Sequence, residues 1–446
     1  MSTAFSGKRD LCPRRGARAA ALSRAPLAIL AALSLFLLAA CSALPTPVVL
    51  DETSFNGMNA LVEGRPPPRP LHILAVHGMG TTAPDQFETF ILALANRLHL
   101  VQVLGPFPES DYPRCPGPIA APGALVRPLP TPITITGVPS GGWAQLYTYN
   151  FAAVKGDSCR PALAVSFLLW APLTRDIKKN FLEETDAPPP QKFADIAKGF
   201  IDGYLGDVVL YGGTYRDNVM RPSVQKALCI VTRGTPSEDG KHCTPGPYRD
   251  PTIIVTHSLG GYMMIDTIGH ELGPDQHGDC DKALKETAAG RILTNTDYIF
   301  MMANQVAFLD LSTQRGYPRR LGGSPPEEVR RRFAECWTRA RLKAPMLLES
   351  SGAPQLSEKQ VVAFSDPNDI LTWEVERKNL GFPKPVWPNV KLTNVYLSND
   401  EFSIPSLFSE PTTAHNGYLD NRTVMEMVVC GMTNGSVNTC LPNGMP

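Results

Sequence analysis

The feature that most constrains this chain is a strand-like segment that passes directly into a helix-like segment at a serine. Residues 252–256 (TIIVT) are apolar or β-branched, which is the pattern of a buried strand. The turn 257–260 (HSLG) follows, and helical spacing then continues to about Glu271. So abrupt a change of direction strains the backbone and needs small side chains nearby. We therefore expect the hydroxyl of Ser258 to project above one edge of a sheet, with Gly260 making room for the turn.

Strand-like and helix-like segments alternate along the rest of the chain. Further short apolar runs lie at residues 71–76, 165–170, 298–308, 361–364 and 390–397. Helical spacing is found at residues 84–100, 175–228 and 418–429. This alternation is typical of the α/β class, with a mostly parallel central sheet and helices on both faces. We predict one such domain at residues 70–446, with a partly helical insertion at about residues 101–250.

The first 40 residues have the composition of an export signal. Six basic side chains come before residue 25, and residues 25–40 then carry no charge. That apolar run is shorter than the ~20 residues of a membrane-spanning helix and is typical of a signal peptide. A plain secretory signal or an uncleaved anchor helix is the alternative. Residues 41–69 follow, and the prolines at 66–68 favour an extended tether.

The signal ends in Leu38-Ala39-Ala40-Cys41, which resembles the lipobox of bacterial lipoproteins. The resemblance implies that residues 1–40 are removed and that Cys41 becomes the first residue and carries the lipid. Ser42 follows Cys41, and in lipoproteins a residue other than Asp there implies sorting to the outer membrane. We therefore expect a lipid-anchored protein of the bacterial cell envelope, facing the periplasm.

Eight cysteines remain once Cys12 and Cys41 are set aside, and an even number in an exported chain favours disulfides. Proximity favours Cys229 with Cys243 and Cys430 with Cys440. Two weaker pairs follow by elimination, Cys115 with Cys159 and Cys280 with Cys336. None of the eight has the spacing of a zinc site, so we expect no metal.

A serine nucleophile needs a histidine base, and that histidine needs an acid to orient it. His415 is the only histidine after His277, and it precedes the last helix-like segment, on the loop after the last strand where a triad histidine is needed. Two carboxylates follow the segment at 361–364. We favour Asp369, which precedes two apolar residues, and keep Asp366 as the alternative. The one that is not used is expected to cap the turn.

These residues together resemble the α/β-hydrolase superfamily, and more loosely its lipase and esterase branches. The resemblance covers residues 71–100, 252–272, 298–308 and 361–430. Thr256 departs from the family pattern G-x-S-x-G, and a β-branched residue there must open the strand–helix packing slightly. The family order Ser258, Asp369, His415 is kept.

In that family, the segment H-G-x after the first strand supplies one backbone amide of an oxyanion hole, and the residue after the nucleophile supplies another. Here these would be Met79 and Leu259, with His77 ordering the loop rather than acting in catalysis. The resemblance implies hydrolysis of an ester, thioester or amide through an acyl-enzyme, without metal or cofactor.

We therefore predict a serine hydrolase that acts on an acyl ester or a lipid-like substrate. The alternatives are a peptidase or transacylase with the same triad, and a catalytically silent envelope binding protein. Nucleic acid is not expected as a partner, because 42 basic residues balance 42 acidic ones. The sequence of residues 101–250, which would line the pocket, does not predict the substrate.

Overall fold

The structure of the protein is a computed structural model. It describes residues 47–440 without 53, 64–68, 81–82, 108–114, 116, 136–137, 139–141, 156–157, 184–200, 238–241, 274–277, 310–325, 344–357, 383–388 and 400–410. The described residues all belong to one unit, Ala43–Phe402 with Phe408–Pro446. The predicted signal peptide, Cys41 and part of the predicted tether lie outside the described residues. No helix in the described part of the chain is both long enough and apolar enough to cross a membrane.

The strands of the described residues are short apart from one long pair. They are β1 (Val48–Asp51), β2 (Phe55–Asn56), β3 (Leu71–Val76), β4 (Val101–Val103), β5 (Thr131–Ile133), β6 (Ala144–Lys155), β7 (Ser158–Leu169), β8 (Thr235–Pro236), β9 (Cys243–Thr244), β10 (Thr252–His257), β11 (Thr296–Met302), β12 (Lys359–Ser365), β13 (Val390–Tyr396), β14 (Gly431–Thr433) and β15 (Ser436–Val437).

Helices occupy most of the connections between these strands. The α-helices are α1 (Asn59–Glu63), α2 (Pro84–Arg97), α3 (Pro172–Glu183), α4 (Gly206–Gly212), α5 (Arg221–Val231), α6 (Leu259–Glu271), α7 (Cys280–Glu286), α8 (Ala288–Thr294), α9 (Val306–Leu309), α10 (Pro326–Lys343), α11 (Pro411–Asn416) and α12 (Arg422–Cys430). Ile201–Leu205 and Arg216–Met220 are π-helical, and Arg377–Leu380 and Gly417–Leu419 are 3-10 turns.

Ten of the strands form one central sheet, in the order β1-β13-β12-β11-β10-β3-β7-β6-β4, with β5 beside β6. The six strands from β13 to β7 are parallel. Antiparallel strands β1, β6, β4 and β5 complete the two sides. The predicted α/β class with a mostly parallel sheet is confirmed.

The sheet is covered on both faces, which is why its central strands are apolar throughout. In β3, Leu74 and Val76 point to the face packed by α5, α6, α7, α8 and α10. Ile73 and Ala75 point to the opposite face, where α2 and α12 pack. Each central strand thus contributes alternate side chains to two separate cores.

The region between α2 and β10 differs most from the sequence prediction. Residues 165–170 were the only predicted strand there, but β6 and β7 are twelve residues each and form a long antiparallel hairpin within the sheet. Residues 101–250 therefore supply part of the central sheet as well as helices. The helices between β7 and β10, namely α3, α4, α5 and the π-helical turns, are called the helical segment below.

The end of the chain also differs in detail. The last helix begins at Arg422, four residues later than predicted, because Asn421 caps it by accepting hydrogen bonds from the amides of Thr423 and Val424. His415, predicted to lie on a loop, is in the short helix α11.

All four predicted disulfides are present: Cys115–Cys159, Cys229–Cys243, Cys280–Cys336 and Cys430–Cys440. Each bridge joins two separate segments of the chain. Cys280–Cys336 links α7 to α10, and Cys430–Cys440 ties the residues that follow β15 to the end of α12.

We expect the denatured, unreduced protein to show none of these eight thiols. Each bridge should stabilise the fold by roughly 2–4 kcal/mol, since it restricts the unfolded chain. Thiol titration in denaturant, with and without prior reduction, measures the first quantity, and denaturant unfolding of both forms measures the second. Eight free thiols in material purified from the periplasm would contradict the pairing.

Candidate active site

The order of the sheet creates a crevice between β3 and β10. Along the chain, β3 is followed by strands on one side of it, and β10 by strands on the other side. At such a switch point the connections leave in opposite directions, so the carboxyl ends of the two strands lie open to a ligand. The segment 77–80 follows β3 and Ser258 follows β10. The predicted nucleophile and oxyanion segments therefore meet at this crevice.

Ser258 occupies a strained position between β10 and α6. Its backbone has φ 54° and ψ −128°, which costs a residue with a Cβ of the order of 1–3 kcal/mol. Its amide donates a hydrogen bond of 2.8 Å to the carbonyl of Met302, which fixes the turn to the neighbouring strand. The side chain is buried.

Glycines make this turn possible. A Cβ at Gly78 would lie 2.2 Å from the Cβ of Ser258, and one at Gly260 would lie 2.5 Å from the carbonyl oxygens of Val76 and His77. Both distances are far inside van der Waals contact. Helix α6 therefore approaches the end of β3 only because Gly260 has no side chain. This agrees with the prediction that Gly260 makes room for the turn at Ser258.

The bulk of Thr256 is accommodated at a different glycine. A Cβ at Gly261 would lie 3.1 Å from the hydroxyl oxygen of Thr256 and 2.9 Å from the terminal methyl of Met301. The space for the β-branched side chain thus comes from the glycine pair at the start of α6. The sequence prediction named only Gly260 of this pair.

The structure brings the three predicted triad residues together. The Nε2 atom of His415 lies 2.9 Å from the Oγ atom of Ser258. On the other side of the ring, Nδ1 lies 3.0 and 2.9 Å from the two carboxylate oxygens of Asp369. All three side chains are buried. With Nδ1–H donating to the carboxylate, Nε2 is left as the acceptor for the serine proton.

Asp369, and not Asp366, contacts His415. Asp369 also accepts a hydrogen bond of 2.9 Å from the amide of Leu371 and one of 3.2 Å from the hydroxyl of Tyr418. These donors fix the orientation of the Asp369 carboxylate beside Nδ1 of His415.

Asp366 instead organises the turn around the site. Its two oxygens accept from the amide of Asn368 at 2.8 Å and from the amide of Asn399 at 2.7 Å. Its pKa is raised, mainly by burial. This is the capping position that was expected for the acid not used in the triad.

His257 is a site residue that the sequence did not predict. Its Nε2–H donates to the backbone carbonyl of His415 at 2.8 Å, and the two rings meet edge to face at 5.1 Å. Burial lowers the pKa of His257 to about 3, so the ring is uncharged at neutral pH. His257 thereby fixes the backbone that carries the base without adding charge beside it.

His77 orders the segment that follows β3. Its Nδ1–H donates to the carbonyl of Gly78 at 2.7 Å, and Nε2 accepts from the amides of Trp170 at 3.0 Å and Ala171 at 3.2 Å. Its ring stacks on that of Trp170 with centroids 4.8 Å apart. Burial lowers the pKa of His77 to about 3. Both ring nitrogens of His77 are thus engaged in holding this segment.

A buried ion pair holds the end of the same segment. The amide of Gly80 donates to Asp207 at 2.8 Å, and the ammonium of Lys178 donates to the same carboxylate oxygen at 2.9 Å. Both charged side chains are buried. Because Lys178 and Asp207 belong to the helical segment, that segment fixes the position of residues 77–80, which we call the oxyanion loop.

The backbone amides of Leu259 and Met79 are the predicted oxyanion donors. Leu259 is the first residue of α6, whose amide has no carbonyl partner within its own helix. Met79 lies in the oxyanion loop, and no hydrogen bond to its amide is recorded among the described residues. Leu259 directly follows Ser258 in the chain, and Gly78, which precedes Met79, packs against the side chain of Ser258.

Tyr204 brings the helical segment over the site. Its ring lies edge to face with that of His415, 6.0 Å between centroids, and a Cβ at Gly80 would touch it at 3.3 Å. Its hydroxyl accepts a hydrogen bond of 3.1 Å from Asn416. Tyr204 therefore contacts both the base and the oxyanion loop.

In the described part of the chain, no group of three His, Cys, Asp or Glu side chains could hold a metal ion. The chain matches no protein-family model. It also matches no curated protein at a significant level of similarity.

The buried histidines predict how stability depends on pH. Burial lowers the pKa of four of them from 6.5: His72 to about 4, His77 to about 3, His257 to about 3 and His270 to about 4. Below pH 6.5 the unfolded chain gains protons that the folded chain does not, so the free energy of unfolding falls on acidification. Each histidine contributes about 1.4 kcal/mol per pH unit between pH 6.5 and about 4. Burial raises the pKa of Glu271 to about 7, so on acidification the folded chain takes up this proton before the unfolded chain does. This one group therefore offsets the effect of one histidine.

Denaturant unfolding at pH 7, 6 and 5 measures this dependence. His72→Gln should reduce the slope by the contribution of one proton. The control His242→Gln, at an exposed position, should leave it unchanged. An unfolding free energy that stays constant from pH 7 to 5 would contradict the assignment of neutral buried rings.

Proposed function

We propose that this protein is a serine hydrolase of the α/β-hydrolase fold that cleaves carboxylic esters. The observation that carries the proposal is the continuous line of hydrogen bonds from Ser258 through His415 to Asp369. It begins at a serine held on a left-handed backbone at the switch point of the sheet. That combination of strain and alignment is hard to explain by packing alone, since strain of this kind is concentrated at functional sites.

In this mechanism Ser258 attacks the ester carbonyl while His415 takes the hydroxyl proton. Asp369 orients the ring and stabilises the imidazolium that forms. The negative charge on the carbonyl oxygen is stabilised by the amides of Met79 and Leu259. His415 then passes its proton to the leaving alcohol as the C–O bond breaks and an acyl-serine remains. Water, deprotonated by His415, releases the carboxylic acid and restores the serine.

A fluorophosphonate probe tests the assignment directly, because it phosphonylates only a serine that a base activates. We expect one labelled serine in the native protein, mapped by peptide mass spectrometry to Ser258. Labelling should disappear after heat denaturation. A p-nitrophenyl ester series, set against matched amide substrates, then separates an esterase from a peptidase. Labelling at another serine, or none in the folded protein, would refute the proposal.

We further propose that the protein is anchored to the bacterial envelope by lipid on Cys41. The leader and the lipobox-like residues 38–41 support this proposal, and four disulfides suit an oxidising compartment. Mass spectrometry of the mature amino terminus is expected to find an acylated Cys41. An unacylated terminus at another residue would contradict it.

A further inference from the structure

A cavity lies away from Ser258, near the amino-terminal end of β3. Its volume is about 370 Å³, within the usual range for small-molecule sites. It is bounded by the face of β6, β7 and β3 on one side and by the end of α5 on the other. His72, which lines it, precedes the oxyanion loop by five residues of strand, or roughly 17 Å at about 3.3 Å per residue. The cavity is therefore separate from the site at Ser258.

The floor of the cavity is polar and its walls are apolar. Ser166 lies 2.9 Å from the Nε2 atom of His72 and 3.1 Å from the hydroxyl of Thr148, so three side chains form one hydrogen-bonded chain. Around them stand Phe107, Leu146, Ile230, Val231 and Tyr248. A ligand that fits this cavity would therefore combine a polar end with a short apolar body.

The rim is positively charged. Arg69, Arg233 and Arg249 line the cavity together with a single carboxylate, that of Asp250. Three guanidinium groups against one carboxylate leave an excess of two positive charges, although the chain as a whole has formal net charge zero. The charge of Arg233 also reaches into the cavity, since after burial it is the second cause that lowers the pKa of His72 to about 4.

Two of these arginines stand on a loop that is held in place. The disulfide Cys229–Cys243 closes the loop that carries Arg233. The amide of Gly246 donates to the carbonyl of Thr232 at 3.1 Å, and a Cβ at Gly246 would lie 2.6 Å from that oxygen. The segment leading to Arg249 is thus packed directly against the end of α5. Because the backbone that carries both arginines is fixed, mainly their side chains lose freedom when a ligand binds.

We propose that this cavity is a binding site for a small organic anion, an oxyanion group carried on a short apolar body. The rim arginines bind the oxyanion, since a planar guanidinium matches carboxylate and phosphate oxygens in two-point hydrogen bonding. The apolar walls bind the body. The site does not depend on the proposed hydrolase activity.

Isothermal titration of the full mature protein with hexanoate and with hexyl phosphate tests the proposal. We expect at least one of the two to bind and neutral hexanol to bind at least tenfold more weakly. The tighter of the two anions identifies the headgroup. Binding should weaken as salt is raised from 50 to 500 mM. Binding should also persist in the Ser258→Ala variant, because the catalytic site is not involved.

The deciding variant is Arg233→Asn with Arg249→Gln. Asn is chosen because Arg233 has φ 52°, a conformation that Asn tolerates. We expect the dissociation constant of the tighter-binding anion to be at least tenfold higher for this double variant than for the parent protein. The control, Arg331→Ala with Arg339→Ala on α10, removes the same charge at exposed positions and should bind like the parent protein.

No binding of either anion, or equal weakening in both double variants, would overturn the proposal. The proposal would also be overturned if anion binding by the parent protein did not change with salt concentration. This measurement does not depend on whether a variant folds.

Discussion

Ser258→Ala is expected to abolish ester hydrolysis while leaving the fold intact. The substitution removes only the oxygen that would form the acyl-serine, and His415 is left without a proton to accept. Loss of such a nucleophile lowers kcat by at least about 10⁴-fold. The free energy of unfolding should change by less than about 1 kcal/mol, because alanine fits the same turn. Purified protein assayed with p-nitrophenyl esters gives the first value and denaturant unfolding the second.

The matched control is Ser365→Ala. Ser365 is also a buried serine at the carboxyl end of a parallel strand, but its hydroxyl lies 3.3 Å from that of Thr372 and it is not in the triad. The rate of ester hydrolysis by the Ser365→Ala protein should stay within about threefold of that of the parent protein. Near-parental hydrolysis by the Ser258→Ala protein would remove Ser258 from the mechanism.

Asp369→Asn is expected to have nearly as large an effect, lowering kcat by roughly 10⁴-fold. An amide in place of the carboxylate can donate to Nδ1 of His415, which then accepts and moves the ring proton to Nε2. In that tautomer Nε2 cannot take the proton of Ser258. The effect is therefore specific to the side chain that contacts Nδ1 at 2.9 Å.

Asp366→Asn serves as the comparison. Among the described residues, Asp366 accepts from the backbone and side-chain amides of Asn368 in its own turn and from the backbone amide of Asn399. Its replacement should therefore lower kcat less than about tenfold. Both variants are measured on the same ester substrate at the same pH. If Asp366→Asn proved the more damaging, the acid would have to be reassigned.

The proximity of Ser258, Asp369 and His415 was predictable because each residue lies beside a local sequence signal. Ser258 lies between a buried strand and a helix, Asp369 follows a buried strand, and His415 comes after β13, the last strand of the central sheet along the chain. Asp369 and Asp366 lie three residues apart in one turn, so the sequence pattern alone does not distinguish them. Tertiary contacts, above all the position of His415, distinguish them.

The supporting residues could not be predicted in the same way. His257 acts on the carbonyl of a residue 158 positions away, and Lys178 meets Asp207 only once α3 and α4 have packed together. Contacts of this range leave no periodic pattern in the sequence. The long hairpin of β6 and β7 was missed because the region has many prolines and glycines around it, and these masked the strand pattern.

The link between Asp207 and the oxyanion loop has a consequence for how such a protein can diversify. The helical segment contacts His415 through Tyr204. If the protein is the proposed hydrolase, changes in this segment are the natural route to a new substrate preference. Yet the same segment holds Gly80 through Asp207 and Lys178. In the proposed hydrolase, the same segment would therefore serve both substrate selectivity and the geometry of the oxyanion loop. If this segment is exchanged for that of a homologous protein, the oxyanion loop should keep its position only when the Lys–Asp pair is included in the exchange.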